Sequence, residues 1–186
     1  MKNYLFLLLA LPLFFTACSD DEISVTDTTL NYDGANFSAP VLPQDSYEAA
    51  ARFSPLDIAE TGSDTLYAVE VYFQDVPVAP TVVIYGQGEN GRPGAQLYRA
   101  NLGSSAQTDS WTRHTLVNPI KIGEEDLWIA VAMEHPVDIR SVGCDEGPAD
   151  ENGDLLFVNS LNTWTNLRDF TNGATSINWN IRGVVE

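Results

Sequence analysis

Cysteine and histidine occur only twice each in 186 residues, and the nine basic residues are outnumbered by 26 acidic ones. The scarcity of positive charge argues against a nucleic-acid partner and against direct adsorption to anionic lipid, because a surface of formal charge −17 repels both phosphate backbones and headgroups. Long apolar runs are equally scarce. The one at the start, residues 4–15, is 12 residues long and broken by Pro12, short of the roughly 20 needed to span a bilayer as a helix. Helical periodicity is weak throughout, and no tandem repeat recurs at a fixed period.

That first apolar run has a different use. Lys2 supplies a positive n-region, residues 4–15 an apolar h-region, and Phe15-Thr16-Ala17-Cys18 the small-residue ending of a bacterial lipoprotein signal. Cleavage before Cys18 frees a thiol-bearing first residue for acylation. Removing residues 1–17 leaves 169 residues, enough for one domain with a sizeable core, and takes the formal charge to −18. Two or three acyl chains on Cys18 give stable membrane attachment where one alone is marginal. With Cys18 acylated, Cys144 has no partner for a disulfide, and it reads as a small semi-buried residue.

Residues 18–29 then form an acidic tether, from Ser19-Asp20-Asp21-Glu22 to Thr28 and Thr29. An acidic run directly after a lipidated cysteine resembles the export signal of Bacteroidota surface lipoproteins. That resemblance implies a protein held in the outer membrane and facing the cell exterior.

Residues 30–186 read as an all-β domain. In residues 65–75, Tyr67, Val69, Val71 and Phe73 alternate with Ala68, Glu70, Tyr72 and Gln74, a period of two. Further strands are expected at residues 81–85, 96–101 and 110–117, with a short edge piece at 120–122 set apart by Pro119. Residues 126–134 form the most apolar strand, which should be central, with Leu127, Ile129, Val131 and Met133 on one face and Trp128, Ala130 and Ala132 on the other. Residues 154–159 make another strand. Residues 175–185 close the domain, with Ile177, Trp179, Ile181, Gly183 and Val185 inward and Asn178, Asn180 and Arg182 outward. Residues 44–53 fit either a short helical turn or an edge strand. About eight strands with frequent turns predict a single antiparallel β-sandwich of jelly-roll type.

The landmarks over residues 48–186 strengthen this. Ala50-Ala51-Arg52-Phe53, the alternating segment from Tyr67 to Phe73, and Val83-Ile84-Tyr85-Gly86 followed by Pro93-Gly94 come first. Leu127-Trp128-Ile129-Ala130, Asp145-Glu146-Gly147-Pro148, Gly153-Asp154, Trp164-Thr165-Asn166-Leu167 and Asn178-Trp179-Asn180-Ile181-Arg182 follow. Together they resemble the jelly-roll accessory modules of Bacteroidota surface proteins, related to the cleaved-adhesin modules of gingipain-type proteins. The resemblance implies a noncatalytic binding or adhesion module.

Two loops carry the candidate binding residues. In the acidic loop 145–154, Asp150, Asn152 and Asp154 present alternate oxygen donors, with Gly153 allowing a bend. That set suits a Ca2+ ion, which takes about six to eight oxygen ligands. The competing reading is an acidic solvated turn. Trp164 lies among Asn162, Thr163, Thr165 and Asn166, a composition suited either to stacking on a sugar ring or to anchoring the loop on the sandwich. No nucleophile elbow or other local signature frames His114 or His135, and an enzyme is not expected. The favoured function is binding of a glycan or a protein partner at the cell surface. The alternative is a structural envelope component, or an accessory subunit of a surface complex, without a small ligand. Replacing Cys18 with Ala should abolish incorporation of labelled palmitate and release the protein from the membrane fraction. Retention in membranes at wild-type level would remove the lipid anchor.

Overall fold

The computed structural model describes residues 28–186; the signal segment, Cys18 and the rest of the tether lie outside the described residues. Ten strands follow one another: β1 (Thr28–Leu30), β2 (Asp45–Phe53), β3 (Thr65–Phe73), β4 (Val78–Gln87), β5 (Pro93–Asn101), β6 (Ser110–Lys121), β7 (Leu127–His135), β8 (Leu155–Val158), β9 (Thr163–Asn166) and β10 (Ile181–Val185). Two short helices join them, α1 (Pro55–Glu60) and α2 (Leu167–Phe170). The strands form a four-stranded sheet in the order β1-β10-β3-β6 and a six-stranded sheet in the order β5-β4-β7-β2-β8-β9, with every pair antiparallel. Set the β8–β9 hairpin aside and the orders become 1-10-3-6 and 5-4-7-2, the alternation of a jelly-roll sandwich. The hairpin is an addition beside β2 that widens one sheet only.

The period-two pattern explains the core. Leu127, Ile129, Val131 and Met133 of β7 enter the space between the sheets, meeting Val69, Val71 and Phe73 of β3 and Ile181 and Val185 of β10. The other face of β7 is buried too. Trp128 and Ala130 join Ala50, Val83 and Leu155 in a smaller cluster on the outside of the six-stranded sheet. β7 is central, as its two apolar faces predicted.

Within residues 44–53 the chain forms β2 from Asp45 to Phe53, which is neither helix nor edge. Its nine residues pair with β7 on one side, and Tyr47 to Ala50 pair with β8 on the other. The three alanines Ala49, Ala50 and Ala51, each at most 1 % exposed, let both faces be covered closely. Ser54 then starts α1: its hydroxyl accepts from the Asp57 N–H, Asp57 reaches back to the Ser54 N–H, and Pro55 stands in the first turn. The sequence carries this capping signal in Ser54-Pro55-Leu56-Asp57, although no helix was expected there.

β4 and β5 run a few residues beyond expectation, the stretch around Trp164 expected as a loop is strand β9, and three further boundaries differ. Thr28 and Thr29, assigned to the tether, belong to β1 and pair with Val185 and Val184. Pro119 does not divide β6, because β6 is the edge of its sheet and the register slips there, Leu66 facing Ile120 while Ala68 faces Thr115. A bulged edge has no ladder hydrogen bond for the missing proline N–H to break. Residues 175–180 lie outside any strand, so Asn178 and Asn180 do not point outward. Both are buried, Asn178 donating to Asp145 and Pro148, and Asn180 to Asp33 at 2.6 Å.

Trp179, 2 % exposed, fastens this irregular stretch. Its backbone N–H donates to the Gly153 carbonyl and its indole N–H to the Leu155 carbonyl at 2.9 Å. Trp179→Phe strands that acceptor in the interior, where the penalty is about 1–3 kcal/mol. Urea unfolding of the variant should show a loss in this range; unchanged stability would deny the bond any role.

Candidate functional site

The outer face of the six-stranded sheet is built from the alternate residues that the core does not use. Register sets Thr81, Ala132, Glu48, Phe157 and Trp164 side by side across five strands. A second row holds Tyr85, Trp128 and Arg52. Between the rows the side chains are small, with Ala130 opposite both Ala50 and Val83. This low strip lets long side chains lie across it. Tyr85 donates its hydroxyl to Glu48 Oε2 at 2.8 Å, although they stand two strands apart.

The added hairpin completes the aromatic part. The Trp164 ring lies 5.5 Å from Trp128 in an edge-on arrangement and 5.6 Å from Phe157. Trp128 is buried, and the Arg52 guanidinium, itself 2.6 Å from Asp126, sits 5.9 Å over its ring. Phe157, Trp164 and Tyr85 are only half-buried, so part of each faces solvent. Beside Phe157 a cavity of about 200 Å3 opens, with Ala132 in its lining, Glu48 and Ser46 on one side and Thr81 and Arg99 on the other. Burial raises the Glu48 carboxyl above its ordinary pKa, and the Tyr85 hydroxyl and Arg99 charge oppose that rise.

A larger cavity, about 810 Å3, lies at one end of the sandwich. Ile58, Leu97, Ile122 and Leu127 line it with Glu124 and Glu125, while Asp64 is paired with Lys121 and Asp126 with Arg52. It contains no aromatic ring. A second aromatic cluster lies on the four-stranded sheet, but there the Arg182 guanidinium stands 4.2 Å over Trp111 and Tyr72 abuts the same ring.

Of the residues expected to bind a ligand, only Trp164 belongs to the outer-face row. It is at once an anchor on Trp128 and a part-exposed ring. Asn162 holds a left-handed backbone, φ 48°, ending the single turn of 3-10 helix before β9. Asn166 spends its amide on the Glu151 carbonyl and on Asp154 Oδ1 at 2.7 Å. Glu48, Tyr85, Arg99 and Phe157 were not anticipated. The available signal was Glu48, a lone acid in the otherwise apolar stretch Tyr47 to Ala51.

In the acidic loop, Asp150, Asn152 and Asp154 do not act as a free oxygen set. Asp150 Oδ1 accepts from the Asn152 N–H, and Asp154, fully buried, accepts from Asn166 and the Arg168 N–H and is ion-paired with the Arg168 guanidinium at 3.3 Å. That guanidinium also donates to the carbonyls of Ala149 and Asp150. Arg168 thus brings a positive charge to the acidic loop. Among the described residues no group of three or more His, Cys, Asp or Glu side chains could hold a metal ion. Gly153 is required for packing as much as for a bend, since a Cβ there would meet Asn178 Oδ1 at 2.2 Å.

The histidines and the cysteine have settled structural surroundings. His135 is 2 % exposed, with Nε2 2.9 Å from the equally buried Ser141 hydroxyl, so that pair is sealed from solvent. His114 Nε2 lies 2.8 Å from the Tyr98 hydroxyl. Burial lowers the pKa of both rings. Cys144 is buried, and burial with the nearby Asp145 charge pushes its thiol up to about 11. Among the described residues no helix is long and apolar enough to cross a membrane.

No protein-family model, no curated protein and no solved structure matches the chain. Removing the loop's cation tests how its charge is balanced. Arg168→Met should lower stability by about 3 kcal/mol, the cost of removing the charged partner of a buried carboxylate, while a chelator leaves the wild-type melting temperature unchanged. A melting temperature that falls on chelation would restore a metal to the loop.

Proposed function

We propose that this domain is a noncatalytic module that binds a glycan on the outer face of its six-stranded sheet, held at the outer surface of the cell envelope by acyl chains on Cys18. The observation that carries the reading is the row Thr81, Ala132, Glu48, Phe157 and Trp164. Aromatic faces favour the C–H side of a pyranose, while a hydroxyl, a carboxylate and a guanidinium around them meet its hydroxyls. The cavity in this row, about 200 Å3, is smaller than the roughly 300–1,000 Å3 of a pocket that encloses a small molecule. It suits one unit of a chain whose remainder lies along the surface.

The anchor and the acidic run after Cys18 support surface display, and the resemblance to accessory modules of secreted proteins supports binding without catalysis. Neither identifies the sugar. The test joins two measurements: a glycan array with the soluble chain lacking residues 1–18, and antibody labelling of intact cells carrying the full-length protein. Binding on the array that falls at least tenfold in Phe157→Ala, together with labelling of unbroken cells, is the expected result. Surface labelling with an empty array would move the assignment to a protein partner. A protein shielded in intact cells would be a periplasm-facing envelope component.

A further inference from the structure

Two groups lining the cavity beside Phe157, one carboxylate oxygen and one guanidinium, make no hydrogen bond or ion pair among the described residues. Glu48 Oε2 is committed to Tyr85, but Oε1 has no hydrogen bond among the described residues. Across the cavity, Arg99 is exposed and has no hydrogen bond or ion pair among the described residues, though its charge is felt at both Glu48 and Tyr85. The two do not close on each other as a salt bridge. An acceptor and a fork of donors therefore face a common space, with Ala132 too small to fill it and Phe157 beside it.

We infer that Glu48 and Arg99 together read two neighbouring hydroxyls of a neutral sugar unit packed against Phe157, so that the ligand class is a neutral glycan. This rests on the glycan-binding reading above. A vicinal diol supplies what each side lacks. One hydroxyl donates to Glu48 Oε1 and the oxygen of the next accepts from the Arg99 guanidinium, both charge-assisted bonds. Charge decides between sugar classes. Glu48 and Glu134 line the cavity against the single cation Arg99, and the chain as a whole carries −17. A uronate or sulfated unit would bring a further negative charge into a site that is already negative. A neutral unit meets no such cost. Tyr85 is the positioning residue, fixing the carboxylate by its 2.8 Å bond to Oε2 and leaving Oε1 for the ligand.

The experiment titrates the soluble chain with neutral polysaccharides (a mannan, a galactan, a xylan) and acidic ones (polygalacturonate, heparin), in the wild type and in Glu48→Gln, Arg99→Leu and Tyr85→Phe, each first checked for an unchanged melting temperature. Affinity for at least one neutral polymer, weakened about tenfold or more by Glu48→Gln and by Arg99→Leu and insensitive to added salt, is expected. Tyr85→Phe should weaken it less. Acidic polymers should not bind. An acidic polymer that binds through Arg99, is weakened by salt and gains affinity in Glu48→Gln would overturn the neutral class while leaving glycan binding intact. Neutral binding indifferent to both Glu48→Gln and Arg99→Leu would remove these residues from recognition. Absence of binding to every polymer would bring down the glycan reading as a whole. Should Glu48→Gln fail to fold, Arg99→Leu decides alone, since Arg99 is exposed and its removal opens no void in the core.

Discussion

Three buried carboxylates hold the irregular parts of this sandwich to its sheets, and the rest of the structure depends on their being answered. Asp33 takes the Arg182 guanidinium at 2.8 Å and the Asn180 amide at 2.6 Å. Asp145 takes the backbone and side-chain N–H groups of Asn178 and the N–H of Gly34. Asp154 takes Arg168 and Asn166. Each joins segments that strand pairing leaves untied: the leader into β2, the descent into β10, and the base of the β8–β9 hairpin. A buried charge without a partner costs several kcal/mol, so these contacts act as constraints that all hold or fail with the local fold.

The candidate site inherits its geometry from them. Phe157 and Trp164 belong to a hairpin that the basic jelly-roll order does not require, and Asp154 at its start fixes where that hairpin leaves the core. The alanines of β2 and β7 do the complementary work. They keep the middle of the outer face low, so that Tyr85 can span it and hold Glu48. Packing beneath and polar contacts above are set by the same strands, because successive residues alternate between the two faces.

The fold was legible where burial alone governs a strand. Residues 65–75 and 126–134 announce their faces by period two, and the two apolar faces of the latter gave its central place. What was not legible depended on partners distant in the chain. The Ala-rich stretch of β2 has no preference of its own, and only pairing with both β7 and β8 makes it a strand. Asn178 and Asn180 satisfy an outward pattern equally well until Asp33 and Asp145, 147 and 33 residues away, are seen to claim them. The site suffered in the same way. Trp164 was visible as an aromatic among polar neighbours, but Glu48, Tyr85, Arg99 and Phe157 are brought together by register across five strands, which local composition does not encode. The acidic loop showed its negative charge in the sequence and concealed its counter-charge, since Arg168 lies outside it.

The path of the chain near its start has a mechanical meaning. β1 has only three residues, antiparallel to β10. A pull on the chain at Thr28 can peel that pair open one residue at a time. The force then reaches Asp33, whose buried carboxylate is held by both Arg182 and Asn180. Beyond that point the chain is tied twice more, Ser38 to Cys144 and Leu42 to Ile139, before it enters β2, the strand that bears Glu48. Tension entering at the N-terminus therefore meets a short strand pair, a buried carboxylate latch and two bridges before it reaches the strand at the outer-face row.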